Sequence, residues 1–264
     1  MARILTSLHG KKAGLTDLNR LMVPKGFLAG EHGSQFGYSS PDRVVFFDDF
    51  IGDVTLDQYN FLEGTDSATS SELILAGGIG GVLQITTGDA GTGLAADMAQ
   101  VTQALQWQAS NGGLVFQTRI KLSAITTCYA FVGFTDLATA LEAPIESAAS
   151  ANTLTSNATD AVGFMFDTRM TDDKWWLTGV ATDVDATAQN STYAPVADTY
   201  EVLRVELTAA GKADFYRNGA HVGTTMTGAL TAAADLTPTI NISKTSVAAS
   251  MTAEIDYLYL EMLR

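Results

Sequence analysis

Three carboxylates near the C-terminus, in Glu254-Ile-Asp256 and at Glu261, combine the type and spacing that chemistry could use. Two Asp or Glu side chains flanking a glycosidic bond supply the acid and the nucleophile of a retaining hydrolase when their carboxyls stand about 5–5.5 Å apart. Met251–Leu263 reads as one strand. Strict alternation puts Glu254 and Asp256 on one face with Leu258 and Leu260, and Ile255, Tyr257, Tyr259 and Glu261 on the other. On that reading Glu261 points away from Glu254, the pair is not assembled, and no catalytic residue is expected.

The other reactive residue types are scattered. His9, His32 and His221 are too dispersed for a triad or a zinc site, and His221 follows a hairpin turn, where exposure is the default. Asp172-Asp173, Asp183 and Asp185 offer oxygens of the kind Ca²⁺ takes, but their spacing fits no Ca²⁺ loop, so solvated turns are expected and no cofactor is assigned. Trp175 and Trp176 are adjacent and must face opposite ways in a strand. One belongs to the core and the other to a surface, where it would make a subunit contact or, ranked lower, stack on a sugar ring. Cys128, the single cysteine, lies in the apolar run Thr127-Cys-Tyr-Ala-Phe-Val132 and reads as a buried structural thiol. The glycines at 77–81 and 88–93 lack the Gly-Lys-Ser/Thr ending of a phosphate loop and read as turns.

The elements that must position these residues read as strands. Candidates are Leu73–Leu75, Gly81–Thr87, Leu105–Gln108, Leu114–Leu122, Cys128–Phe134, Ala161–Asp167, Lys174–Thr182, Glu201–Thr208, Ala213–Arg217, Thr239–Lys244 and Met251–Leu263. In the fourth, Leu114, Phe116, Thr118, Ile120 and Leu122 share one face, while Gln117, Arg119 and Lys121 share a wet one. Asn218-Gly219 between two such runs is the signature of a two-residue type I′ hairpin. Residues 136–160, rich in Ala, Ser, Thr and Asn, form the longest stretch without strand character, read as a short helix at Leu137–Leu141 followed by a surface loop.

Charge divides the chain. Residues 1–43 hold six Lys and Arg against three carboxylates, a net +3, so residues 44–264 carry −17 within a total of −14. The basic segment is punctuated by glycine and proline and has too few apolar residues for a core, so an extended arm (1–43) preceding a single body (44–264) is the expected organisation. The acidic body disfavours nucleic acid. No apolar run approaches a membrane span or a signal peptide, so a mature, non-exported protein is expected.

Phe46-Phe-Asp-Asp-Phe-Ile-Gly52, Phe131-Val-Gly-Phe-Thr-Asp136, Ala161-Val-Gly-Phe-Met-Phe-Asp167, Asp214–Gly223 and Ala253–Glu261, in that order, resemble a concanavalin A-like (LamG-type) jelly-roll β-sandwich, which implies an all-β fold. Glycosidases of that fold carry Glu-x-Asp-x-x-Glu or Glu-x-Asp-x-x-x-Glu on one strand; here positions 259 and 260 are Tyr and Leu. Thr6-Ser-Leu-His-Gly-Lys-Lys-Ala-Gly-Leu15 resembles N-terminal segments of tailed-phage virion structural proteins. Together the two resemblances imply a bacteriophage capsid decoration (cement) protein: a homo-oligomer, often a trimer, located on the virion and bound to the major capsid protein outside the shell. Its contacts would come from Arg3, Leu8, Lys11, Lys12, Leu15, Leu18, Arg20, Leu21 and Lys25 of the arm and from a sandwich edge. A carbohydrate-binding module taking a glycan is the alternative reading, and a glycoside hydrolase the third. No nucleic acid, membrane or catalytic role is implied.

Overall fold

The computed structural model describes residues 43–51, 58–65, 71–75, 81–89, 94–147, 153–246 and 249–263. In chain order the strands are β1 (Arg43–Asp48), β2 (Asn60–Glu63), β3 (Ser71–Ile74), β4 (Leu83–Thr86), β5 (Ala99–Thr102), β6 (Leu114–Leu122), β7 (Cys128–Thr135), β8 (Ile145–Ser147), β9 (Leu154–Ser156), β10 (Ala161–Asp167), β11 (Trp176–Ala181), β12 (Val184–Asp185), β13 (Gln189–Asn190), β14 (Glu201–Leu207), β15 (Ala213–Arg217), β16 (Ala220–Met226), β17 (Thr237–Lys244) and β18 (Thr252–Leu263). A single α-helical turn, α1 (Leu94–Asp97), precedes β5. Sheet A runs β16-β15-β14-β6-β18-β4-β3, with β1 also on β18; sheet B runs β12-β11-β10-β7-β17-β5-β2, with β13 also on β11. The fold is an all-β sandwich of two antiparallel sheets.

Sheet A forms for the reason its alternation suggests. In β6 and β14 every second residue is buried, and Arg119, Lys121, Arg204 and Glu206 lie on the outer face, whereas Glu201 at the start of β14 is on the buried face, bonded by Trp175 and Arg217. The inner faces of both sheets meet in a core where Phe116 packs edge-on to Phe134, and Phe164 packs edge-on to both Trp175 and Phe215. The hairpin turn forms as expected: Asn218 and Gly219 have φ of 49° and 80°, the two positive values a type I′ turn requires.

Sheet B differs. Every residue of β7, β10 and β17 is buried, because a third layer, built from residues 136–147 and 153–160, lies on the outer face of the sheet. This explains why β7 and β10 read as nearly unbroken apolar runs. The helix expected at Leu137–Leu141 is absent. Sheet side chains take the carbonyls of that stretch instead: Gln100 Nε2 donates to Leu137 and Ala140, and Thr102 Oγ1 to Ala138. The surface loop expected after it contains the hairpin β8–β9. Leu105–Gln108 is not a strand either. Leu105 is exposed, Trp107 makes only an isolated bridge to Leu236, and the strand lies just upstream in β5.

The largest departure from the sequence reading is in β18. Ile255 opposes Ile120 and Tyr257 opposes Arg119, so Asp256 is an extra residue, a β-bulge. The bulge inverts the parity of everything after it. Leu258, Leu260 and Met262 point inward, and Glu254, Asp256, Tyr257, Tyr259 and Glu261 all reach the outer face. The assignment of Glu261 to the face opposite Glu254 was therefore incorrect.

Residues 1–42 lie outside the described residues, and with them Arg3, Leu8, Lys11, Lys12, Leu15, Leu18, Arg20, Leu21, Lys25, His9 and His32. Residues 76–80 and 90–93, most of the two glycine-rich stretches, lie outside them too.

Candidate functional site

The outer face of sheet A gathers the carboxylates singled out from the sequence. Glu254 Oε2 accepts from Lys121 Nζ at 2.8 Å and from the Tyr200 hydroxyl at 2.7 Å. Arg119 Nη1 donates to Asp256 Oδ2 at 2.7 Å, and its guanidinium lies 4.2 Å from the centre of the Tyr200 ring. Glu261 is held by Arg43 and by the Tyr259 hydroxyl. Burial alone would raise the Glu254 pKa, but the bonds from Lys121 and Tyr200 outweigh it and hold this carboxyl below its ordinary range. Burial and the neighbouring Glu254 push the Tyr200 hydroxyl up.

A general acid needs a raised pKa, and Glu254 has the opposite. Glu261 shares its face, but seven residues along a strand place the two about 20 Å apart, against the roughly 5–9.5 Å that either glycosidase geometry requires. Tyr259 occupies the position where the glycosidase pattern has its second Glu. This face is a lattice of ion pairs.

Glu254→Gln tests that description. It is expected to cost about 1 kcal/mol at pH 7, the scale of a charge-assisted hydrogen bond at a part-exposed site. A carboxyl with a lowered folded pKa stabilises above its unfolded value, near 4.3, and loses that contribution as pH falls through the folded value. Melting curves of variant and parent should therefore converge below about pH 4. An equal gap at pH 3 and pH 7 would show that the charge contributes nothing.

The outer face of sheet B is closed. Tyr129, Phe131, Met165, Trp176 and Val180 of the sheet pack against Leu137, Leu141, Ala143, Ile145 and Leu154 of the third layer. The Tyr129 hydroxyl donates to the Ile145 carbonyl at 2.7 Å, Asn241 Nδ2 donates to the Glu142 carbonyl at 3.2 Å, and the Ser147 amide donates to Asp167 Oδ2 at 3.1 Å. The expectation of one surface tryptophan is corrected by this layer. Trp175 is 1% exposed and donates to Glu201 in the main core, while Trp176 is 7% exposed beneath the third layer. Neither is available to stack on a sugar.

At the margin of the third layer, between α1 and β8, lies a groove of about 510 Å³. Leu94, Met98 and Ala143 form its apolar floor; Glu142, Glu146 and Arg169 line its rim. Arg169 clamps the layer to the sheet: Nη2 reaches Asp167 Oδ2 at 2.7 Å and Glu146 Oε2 at 2.8 Å, and Nε reaches Asp167 Oδ1 at 3.0 Å. Burial opposes the Arg169 charge, and its bonds to Asp167 and Glu146 outweigh that, so its pKa is raised. With Asp167 behind Arg169, the groove carries three carboxylates against one guanidinium. The sequence reading missed these residues. Asp167 and Arg169 stood two apart at a strand end, a usable signal, but Glu142 and Glu146 sat in a stretch read as a plain loop.

The remaining candidates do not converge. Asp172 and Asp173 precede β11 while Asp183 and Asp185 follow it, so a strand of about 16 Å separates the two pairs. Among the described residues no group of three or more His, Cys, Asp or Glu is arranged to hold a metal ion. His221 is exposed, 3.2 Å from Asp214. Cys128 is buried and free, and burial pushes its thiol up to about 12.

No family model matches this sequence, and no curated protein does. Solved structures do match. A protein of unknown function, SO2946 from Shewanella oneidensis MR-1, is similar over 96% of this chain and 95% of its own, with a TM-score of 0.55 and 14% identity. The Bacillus licheniformis beta-glucanase matches over 82% of this chain and 97% of its own, with a TM-score of 0.55 and 10% identity. The Emp47p carbohydrate recognition domain matches over 84% and 95%, with a TM-score of 0.52 and 9% identity. Together with the two-sheet topology, these likenesses identify the fold as a concanavalin A-like jelly-roll sandwich.

Proposed function

We propose that this chain is a non-catalytic attachment protein: a jelly-roll body that reinforces a phage capsid from outside, docked through its basic N-terminal segment and the adjoining sandwich edge. The observation that supports this reading best is the closure of sheet B. Its outer face is filled by the chain's own residues 136–147 and 153–160, with Trp176 beneath them. A sandwich thickened to three layers gains buried apolar area at the expense of an open cleft, which suits a shell component more than an enzyme. The carboxylates on sheet A, each held by a cation, favour the same side. The Thr6–Leu15 resemblance directs the reading toward a virion, and the +3 segment would complement surfaces that the −17 body repels.

Co-sedimentation with assembled capsids tests this. The full chain is expected to bind, and a chain starting at Arg43, which keeps all of β1 and both sheets, is expected to fold and to lose binding. Lys11→Glu with Lys12→Glu should weaken attachment most at low salt. A shortened chain that still decorates capsids at full occupancy would move the contact onto the sandwich. Saturable binding in a glycan array without capsid binding would instead favour the carbohydrate-binding reading, to which the fold shared with a carbohydrate recognition domain lends support. Turnover of a β-glucan that is lost in Glu254→Gln would overturn both.

A further inference from the structure

We propose that the root of the third layer is a proton-operated latch: Asp136 and Asp160 close it when one of them carries a proton and loosen it when both are ionised. These two residues are where the layer leaves sheet B and where it returns, directly after β7 and directly before β10. Thr135 opposes Ala161 in the ladder, so the two residues stand side by side at the end of the sheet. The Asp136 amide donates to the Asp160 carbonyl at 3.0 Å. In return the Asp160 amide donates to Asp136 Oδ2 at a longer 3.3 Å, and Asp136 Oδ1 is buried with no hydrogen-bond partner. Asp160 is 6% exposed and accepts at Oδ1 from the Thr231 amide at 2.8 Å. Among the described residues no Lys, Arg or His pairs with either carboxylate.

The neighbouring elements supply no countercharge. Asp183 and Asp185 lie in the β11–β12 hairpin, whose Asp183 amide donates to the Thr159 carbonyl at 2.9 Å, and Asp235, before β17, is taken up by Gln108. Lys212, next to the Gly211 that lies against the Leu230 carbonyl, is exposed and pairs with neither carboxylate. Burial works against the Asp136 charge, the Asp160 charge adds to that, and the nearby amides offset only part, so the Asp136 pKa is raised. Thr182 and Asp183 are held at φ of 52° and 60°, a costly conformation for a β-branched residue, and the Thr182 and Thr231 hydroxyls share a hydrogen bond at 2.9 Å. Single hydrogen bonds thus tie the root to a strained turn and to the loop before β17. The far end of the layer is the opposite case, because there Arg169 neutralises Asp167 and Glu146. A carboxyl with a raised folded pKa stabilises fully below its unfolded value, near 3.9, and loses that contribution as pH rises through the folded value. The cover over sheet B is therefore tightest in acid and loosens at its root toward neutral pH, while its Arg169 end stays fixed.

Amide exchange of the full chain, corrected for the intrinsic effect of pH and read at about pH 4 and about pH 8, tests the latch. Protection at Asp160, Asp183 and Thr231 is expected to fall at the higher pH, while Ile145–Ser147 and β6 keep theirs. Asp136→Asn keeps the shape and removes the charge. It should raise protection at those three amides about tenfold at the higher pH, the order that relieving one unsatisfied buried acceptor allows, and abolish their dependence on pH. The carboxyl carbon shift of Asp136 in the unaltered chain gives a readout that needs no variant. It should titrate above the ordinary Asp value, near 3.9, together with the change in protection. A carboxyl that titrates at or below that value, or protection that is the same at both pH values, would overturn the latch. So would an Asp136→Asn chain whose root is less protected than the parent's at the higher pH, since the charged form would then be the one that holds the layer down.

Discussion

Deleting Leu260 is expected to remove most of the folding stability, whereas deleting Asp256 from the same strand is expected to cost no more than about 2 kcal/mol. Each change shortens β18 by one residue. Asp256 is the extra residue of the bulge: without it Ile255 and Tyr257 oppose Ile120 and Arg119 as consecutive pairs, every later residue keeps its partner and its face, and what is lost is the part-exposed ion pair to Arg119. Leu260 lies in regular pairing, so its deletion puts the strand one residue out of step. With the bulge kept, Met262 turns to solvent and Glu261 into the core; with the bulge given up, Leu258 turns to solvent and Tyr257 and Tyr259 turn in. Either way two of the three buried side chains are lost, at about 1.5–3 kcal/mol each, and polar groups are buried in addition, a large part of a domain stability of about 5–15 kcal/mol. β18 also pairs with β6, β4 and β1, so the error spreads across sheet A. Thermal melts followed by far-ultraviolet circular dichroism, with limited proteolysis, would read the result. A Leu260 deletion that melts cooperatively within about 2 kcal/mol of the parent, or an Asp256 deletion that does not, would show that the register of β18 is not set by the extra residue at Asp256.

The same residue marks how far the fold was legible in the sequence. Alternation located β6 and β14 to within a residue, and Asn218-Gly219 located the β15–β16 turn, because in each case one local rule determines the geometry. In β18 the same rule failed, although its failure was written in the residues. Ala253 and Ile255 are two apart, and so are Leu258, Leu260 and Met262, but Ile255 and Leu258 are three apart. That odd interval is what a bulge leaves in a pattern with one buried face. Sheet B hid a different fact. Runs such as Cys128–Phe134 showed that both faces are buried, but not by what. The covering residues, 136–147 and 153–160, are mostly small or polar, and they adhere through carbonyls that accept hydrogen bonds from Gln100, Thr102 and Asn241, contacts that no periodicity announces. The pairing of Arg169 with Glu146 was invisible for the same reason: it joins a residue just past the end of β10 to one in β8, 23 positions away.

Arg169→Ala should be the most damaging single substitution outside the main core, at about 3–5 kcal/mol. Asp167 is wholly buried, and Arg169 supplies its countercharge through Nε and Nη2 while also binding Glu146 of the covering layer. With the guanidinium gone, the Asp167 carboxylate keeps only the amides of Ser147 and Arg169 as donors, at 3.1 and 2.9 Å, and must remain desolvated or admit water beneath β8. Either route loosens the third layer before the sandwich itself. Amide exchange at Ile145–Ser147 should accelerate at denaturant concentrations that leave β6 and β14 protected, and the emission of Trp176 should shift to the red as its cover lifts. Replacing both partners separates charge from packing. Asp167→Leu with Arg169→Leu removes the ion pair without stranding a charge, and should cost less than Arg169→Ala alone. If the double variant is instead the less stable of the two, the layer is held by these hydrogen bonds in their own right, and the cost of an unpaired buried carboxylate is not what makes Arg169 matter.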